Sequence, residues 1–149
     1  MATYARVAVA RSAAGWTVSG NTASLFATQS FPQASTGSTV ATYFGVGRDS
    51  SSTGELLFFG ALANSITINA GVTPQLSTST NVQQSTGDGM ADTAANNLMK
   101  LIFNNTTWAN IGDVTGIVGS GTAGSLYLSL HTSSPGEAGD QTTNEVSYT

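Results

Sequence analysis

The chain has no cysteine among its 149 residues, which removes disulfides, thiol catalysis, zinc–thiolate sites and iron–sulfur clusters together. A protein so made that must survive outside a cell depends on packing or oligomerisation. Charge is nearly as scarce: 8% of residues are Asp, Glu, Lys or Arg, against roughly 25% in ordinary soluble domains. Four Lys and Arg stand against eight Asp and Glu, a net charge of −4. The cations, Arg6, Arg11, Arg48 and Lys100, are scattered, so no basic cluster is available to neutralise phosphates. That argues against nucleic-acid binding and against adhesion to an anionic membrane. No apolar run approaches the roughly 18 residues of a spanning helix, and the opening residues lack the apolar stretch of a signal peptide. The sequence reads as soluble, without membrane insertion or an export signal.

What the chain does have is Gly, 17 residues, with 19 Ser and 22 Thr. Its polar surface must then be mostly hydroxyl and amide, and its core must come from scattered aliphatic and aromatic side chains. The length suits a single domain, residues 1–149.

Alternation of apolar residues marks the strands. In Tyr4-Ala-Arg-Val-Ala-Val-Ala-Arg11 it puts Ala5, Val7 and Val9 on one face and Tyr4, Arg6 and Ala8 on the other. Gly15-Trp-Thr-Val18 and Ala23-Ser-Leu-Phe26 flank the turn Ser19-Gly20-Asn21, and Val40 to Val46 is rich in β-formers. Leu56-Leu-Phe-Phe59 is apolar on both faces and so predicts a central strand; Ser65-Ile-Thr-Ile68 follows as another, then the turn Asn69-Ala-Gly71. Pro74 confines the segment Val72 to Leu76 to an edge or bulge. Leu126-Tyr-Leu-Ser-Leu-His131 alternates most cleanly, with Leu126, Leu128 and Leu130 inward; Glu145 to Tyr148 is a last short strand.

One segment has helical spacing. From Asp92 to Phe103, residues Ala94, Leu98, Leu101, Ile102 and Asn105 recur at the 3.6-residue period, with Asp92 or Thr93 as N-cap and Asn104 to Thr107 as the stop. These elements predict a mainly β protein, an antiparallel β-sandwich (jelly-roll-like) with one packed α-helix.

Few residues offer chemistry. Gly119-Ser-Gly-Thr-Ala-Gly124 has the letters of a dinucleotide loop, but it opens a strand, where pyrophosphate binding needs a helix N-terminus; it reads as a flexible loop. His131 is the one imidazole, with Glu137, Asp140 and Glu145 near it in sequence. A carboxylate could orient it for acid–base or metal work, yet neither a nucleophile elbow nor an HExxH motif accompanies it, and a strand-end histidine bonded to loop backbone is the plainer reading. The loop Ser133 to Asp140 carries two carboxylates and carbonyls fit for calcium, but lacks the dense ligands of an EF-hand and reads as a Pro135-Gly136 turn. Trp16, Tyr43, Trp108, Tyr127 and Tyr148 would stack on a sugar if coplanar and exposed, and are otherwise core or interface anchors. No catalytic, metal or cofactor site is expected.

At Leu126-Tyr-Leu-Ser-Leu-His-Thr-Ser-Ser-Pro-Gly-Glu-Ala-Gly-Asp140 and Thr143-Asn-Glu-Val-Ser-Tyr-Thr149 the sequence resembles a family of small bacteriophage virion proteins, of tail fibre or minor structural type. Members run from a helix to a strand with an LHT.DPGEAG loop, then NE.SY..YARVAV, then glycine-punctuated strands with an aromatic FG pair and an NAG turn. Tyr4-Ala-Arg-Val-Ala-Val9, Tyr43-Phe-Gly45, Leu57-Phe-Phe-Gly60 and Asn69-Ala-Gly71 look like the later parts, so the resemblance covers nearly the whole chain. The order is rotated: residues 90–149 correspond to the family's first part and 1–84 to its second, with 85–89 as a linker. Met90-Ala-Asp-Thr reads as a start directly before a helix, and joining Asn144 to Thr149 onto Thr3 to Val7 restores the motif. This is the pattern of a circular permutation, of the kind made by engineering.

The resemblance implies a non-enzymatic structural protein of the virion, self-associating as a homo-oligomer or docking on other virion proteins. Sparse charge and abundant Ser, Thr and Asn suit such contacts, since neutral groups desolvate at lower cost. The alternative is a carbohydrate- or receptor-binding module of a phage fibre, recognising a host-surface glycan; an enzyme stands third.

Overall fold

The computed structural model describes residues 3–87, 89–112 and 115–149. Asp88, in the expected linker, and Asp113 and Val114, in the expected loop before the last long strand, lie outside the described residues. The described elements are β1 (Val7–Ala10), β2 (Trp16–Ser19), β3 (Thr22–Leu25), β4 (Gln29–Ser30), β5 (Ser38–Gly47), β6 (Leu56–Asn69), β7 (Gln75–Leu76), β8 (Asn81–Gln83), α1 (Asp92–Asn104) and β9 (Ser125–His131). The mainly β reading, with antiparallel sheets and one helix, is what the structure shows. None of the described helix is long and apolar enough to cross a membrane.

The residues group into two compact units. The first comprises Thr28–Leu76, Leu126–Thr149 and the described part of the first eight residues; the second comprises Val9–Ala27 and the described part of Ser77–Ser125.

The sheet is ordered β1-β9-β5-β6, and the first unit holds β5, β6, β9 from Leu126 onward and Val7–Ala8 of β1, together with the separate two-stranded pair β4-β7. Strand β5 pairs antiparallel with β6, from Ser38↔Asn69 to Gly47↔Leu56, and with β9, from Tyr43↔His131 to Gly47↔Tyr127. Partners directly opposite share a face, so Leu128 and Leu130 stand beside Val46 and Phe44, and all four are buried. Each such side chain contributes about 1.5 to 3 kcal/mol by leaving water. Ser129 and His131, expected on the outer face, are nonetheless fully buried, because the segment after β9 folds back over them.

Three expectations need correction here. The pattern at Leu56–Phe59 predicts a central strand, but β6 lies at the end of the sheet, and it runs on as one strand through the second expected one, to Asn69. Its register with β5 breaks twice, between Ala41 and Tyr43, where Thr42 faces residues 62–65, and between Val46 and Gly47, where Leu57 is the extra residue. Second, the strand expected from Glu145 to Tyr148 is a single bridge, His131↔Glu145, supported by Val146 N–H donating to Leu130 C=O. A run this short is held by its side chains more than by a ladder. Third, the segment Thr132 to Thr143, whose Pro-Gly turn and polar residues predict an exposed loop, is not wholly exposed: Pro135 and Gln141 are buried.

In the second unit β3 pairs antiparallel with β2 (Trp16↔Leu25 to Ser19↔Thr22) and with β8 (Thr22↔Gln83 to Ser24↔Asn81). Strand β8, Asn-Val-Gln, carries no sequence signal of its own. Helix α1 packs on β2 and β3, burying Ala95, Met99 and Phe103. The apolar stripe expected at Ala94, Leu98, Leu101 and Ile102 is therefore turned by about one residue, and those four are half-buried. Apolar residues crowd positions 98–103, so periodicity fits either set; the Trp16 ring, edge-on to Phe103 at 4.7 Å and 63°, selects one.

The cap is also different. Ala91 is the N-cap, without a side-chain hydrogen bond, while Asp92 occupies the first turn, where its charge suits the helix dipole. At the other end Asn105 adopts φ 53° and donates its N–H to Lys100 C=O. Arg11 supplies the cation the last turn lacks, donating Nε–H to Ile102 C=O (2.7 Å) and an Nη2–H to Leu101 C=O (2.9 Å), which satisfies carbonyls with no helical partner.

Candidate functional site

The polar residues of the first unit converge where β1, β9 and the segment 132–149 meet. Glu145 receives the Arg6 guanidinium bidentately, Nε to Oε1 at 2.8 Å and Nη2 to Oε2 at 2.9 Å. The remaining Arg6 donors reach backbone carbonyls, Nη1 to Asp49 (3.1 Å) and Nη2 to Ser52 (2.9 Å). The Arg6 side chain, on the face opposite Val7 and Val9 by alternation, is 3% exposed, and that of Glu145 is 15%. Burial by itself would lower the Arg6 pKa, but the hydrogen bonds and charge of Glu145 outweigh it and hold the group above its ordinary value.

Tyr4 completes this clasp. Its hydroxyl donates to Glu145 Oε1 (2.9 Å) and accepts the Leu130 N–H (3.0 Å). Burial first, and then the Glu145 charge, push the phenol well above its usual pKa, so it stays a neutral donor. The ring stacks on Phe31 (6.2 Å, 8°) and meets Tyr148 edge-on (5.4 Å, 69°). Tyr148 donates its hydroxyl to Pro32 C=O at 2.7 Å, and burial pushes its pKa up to about 12.

His131 lies beside this network. The Thr143 carbonyl, 2.8 Å from Nδ1, can only accept, so Nδ1 carries the proton. In the neutral ring Nε2 then accepts from the Ser129 hydroxyl at 2.8 Å. Burial holds the histidine pKa below its ordinary value, against the opposing pull of the Thr143 carbonyl and the Glu145 charge. Hydroxyl, imidazole and an orienting oxygen are the parts of a nucleophile–base pair. Both side chains, however, are 0% exposed, so no substrate reaches the hydroxyl. Their geometry instead explains Gly45, one strand over, where a Cβ would come within 2.6 Å of Ser129 Oγ and 2.8 Å of His131 Nε2.

Gln141 escaped the sequence reading. Fully buried, it closes a two-way amide clip on Asp49, accepting the Asp49 N–H (2.9 Å) and donating to its C=O (3.1 Å). Its side chain fills the space a Cβ would need at Gly47 and Gly54. Nothing in a lone Gln within Asp-Gln-Thr-Thr signals this.

The other candidates do not assemble. Glu137 is exposed and apart. Asp140 Oδ1 accepts from the Thr142 hydroxyl (2.7 Å) and N–H (2.8 Å) and from Thr143 N–H (3.0 Å), which lower its pKa; it caps a turn. Gly136 has the positive φ, 73°, expected of the Pro-Gly turn. Among the described residues no group of three His, Asp or Glu is placed to hold a metal ion. Of the aromatic residues, Trp16 and Tyr148 are buried and unavailable to stack on a sugar. The hollow lined by Tyr4, Arg6, Ser51, Thr142 and Glu145 measures about 180 Å³, below the roughly 300 Å³ at which ligand pockets begin. A wider one of about 720 Å³ in the second unit is lined, among the described residues, by Gln84, Ser85, Gly89, Met90, Ala91 and Ala94, none of them charged.

Residues 1–84 match the model of the family described as podophage GP4 fiber I protein gp80. The chain belongs to that fibre protein family. No curated protein and no solved structure matches it. As a podophage fibre protein it is a component of the virion. The matched part contains Tyr4 and Arg6, and the remainder contains Glu145 and Tyr148, so letters distant in the sequence of this fibre protein form one hydrogen-bonded cluster.

Proposed function

We propose that this fibre protein acts without catalysis, through self-association or docking on other virion proteins. The observation that carries the reading is the burial of Ser129 and His131 at 0% exposure: the one imidazole and its hydroxyl partner serve the fold. Arg6 and Glu145 are likewise spent on each other and on backbone carbonyls. The surface left for contacts carries few charges, Arg48, Glu55 and Glu137 among them, and is otherwise suited to neutral hydrogen bonds and apolar packing.

Generic ester and glycoside substrates should show no turnover above blank. Hydrolysis that disappears in His131→Ala would overturn the proposal. A glycan array with specific hits would favour host recognition instead.

We also read the chain as one domain, circularly permuted. Tyr4 N–H donates to Tyr148 C=O at 3.1 Å, and the family match stops at residue 84; both support this reading. Rejoining residue 149 to residue 3 and reopening the chain before Met90 should give a protein of at least equal thermal stability, and failure to fold would count against it.

A further inference from the structure

A virion component without cysteine meets the proteases of its surroundings with packing and hydrogen bonds alone. Proteases nick exposed loop tips made of small polar residues. The loop between β5 and β6, Arg48-Asp-Ser-Ser-Ser-Thr-Gly-Glu55, has that composition, and Ser50, Ser51, Ser52 and Thr53 are all exposed. Enzymes of trypsin specificity cut after Lys or Arg, of which the chain has four. Three are withdrawn by their surroundings. Lys100 lies within α1, the Arg11 guanidinium is taken up by the Leu101, Ile102 and Ala123 carbonyls, and the Arg6 side chain is buried. Arg48, with its side chain 67% exposed, is the one left open, and it stands at the start of the susceptible loop.

The backbone of that loop is nonetheless tied down from two distant segments. Arg48 N–H donates across the loop to Glu55 C=O (3.0 Å). The nitrogen of the bond at risk, Asp49 N–H, donates to Gln141 Oε1 (2.9 Å), while Asp49 C=O accepts from Gln141 Nε2 (3.1 Å) and Arg6 Nη1 (3.1 Å). Gln141 also donates its own N–H to Gly54 C=O (3.0 Å), and Arg6 Nη2 reaches Ser52 C=O (2.9 Å). Ser52 is thereby held at φ 66°, a conformation that costs a residue other than glycine. Because the Gln141 side chain is fully buried, water does not compete for its two bonds. The Arg48 ion pairs with Asp49 and Glu55 are solvent-exposed and add little.

We infer that Gln141, together with Arg6, guards the peptide bond between Arg48 and Asp49, so that the folded chain withstands proteases of trypsin specificity. Cleavage adds water across that bond, leaving a carboxylate on Arg48 and an amine on Asp49. To reach it, an enzyme must first draw residues on both sides out of the fold, and the rate then follows the population of the opened loop. Opening breaks the Gln141 and Arg6 bonds to Asp49 together, since both converge on one residue.

Trypsin digestion of the full chain, read by mass spectrometry, tests this against a synthetic peptide of residues 44–53, which carries the same bond without the fold. The folded chain should be cut after Arg48 at least about a hundredfold more slowly than the peptide. Gln141→Ala removes one grip, and Gly54→Ala displaces the Gln141 side chain, which occupies the space its Cβ would need. With circular dichroism unchanged, each should speed that cut at least about tenfold, giving fragments 1–48 and 49–149. Adding Arg48→Gln to Gln141→Ala should abolish the fragments. Folded forms of both single variants as resistant as the parent would overturn the inference. So would first cuts in them after Arg11 or Lys100, which would mean that general unfolding rather than release of this loop sets the rate. A parent chain cut after Arg48 within about tenfold of the peptide would overturn it even if neither variant folds.

Discussion

The two units of the chain are held by different physics. In the first, the decisive contacts are polar and join distant segments: Arg6 to Glu145, 139 residues apart, and Gln141 to Asp49, 92 apart. In the second, an apolar stripe on α1 seats Phe103 against Trp16, and polar side chains mainly collect backbone carbonyls, as Arg11 does at the helix end and Asn104 does at Trp16 C=O (2.9 Å). The Trp16 Nε1–H is buried without a partner, a cost the aromatic packing outweighs. In a chain so poor in charge, one buried ion pair can specify which segments meet, because a misplaced partner leaves a buried charge unpaired. Apolar packing is more permissive, since a hydrophobic group of similar size fits.

That contrast can be broken from either side. The largest effect is expected at Glu145→Ala, which strands Arg6 in a dry site and should cost about 3 to 5 kcal/mol; a loss within about 1 kcal/mol would show that water reaches the pair and that the clasp is ornamental. Phe103→Ala should cost a similar 3 to 5 kcal/mol or slightly less, as a cavity opens against Trp16. Leu101→Ala, half-buried on the same helix, should cost about 1 kcal/mol. Equal losses for the two helix variants by denaturant titration would mean that the stripe is centred elsewhere. If the chain is one cooperative domain, Glu145→Ala and Phe103→Ala shift the same unfolding transition; two transitions would divide the units thermodynamically.

Gly45→Ala sharpens the comparison within the first unit. Its Cβ would crowd Ser129, Leu56 and His131, an overpacking cost of about 1 to 3 kcal/mol, visible as a lowered midpoint and as a displaced His131 ring signal by NMR.

The smallest effect concerns pH. Burial depresses the His131 pKa in the folded chain, while the unfolded chain takes up its proton near the ordinary value of about 6.5. Between the two values the unfolded state binds more protons, so the histidine's contribution is fully present above about pH 6.5 and is lost as pH falls through the folded value. Thermal midpoints should decline over that interval in the parent and stay flatter in His131→Gln. Asp140 has the same sign through its hydrogen bonds to Thr142 and Thr143, but acts below about pH 3.9, so the two separate on the pH axis. An unchanged profile in His131→Gln would show that folding leaves the ring's proton affinity where the unfolded chain has it.

Much of the β content was legible in the residues. The alternation at Leu126, Leu128 and Leu130, the β-formers of β5, the glycine turns and the existence of a single helix all follow from local rules, because period and turn chemistry act within a few residues. The fibre family was legible too, since its letters stand in the chain whatever their order. The candidate site was legible only as letters. Glu145, Tyr4 and Arg6 appear in the motif, but their meeting depends on long-range chain closure, and Gln141 and Ser129 have no local mark of burial.

By itself, the sequence determined that this protein is sparsely charged, cysteine-free, mainly β and provided with one helix, since composition and periodicity are properties of short windows. Tertiary structure alone decided which face of that helix is buried, that Arg6 turns inward, and that a strand written for the middle of a sheet sits at its edge. These outcomes depend on what each segment finds beside it: Trp16 for Phe103, Glu145 for Arg6, and for the outer side of β6 no strand of its own sheet.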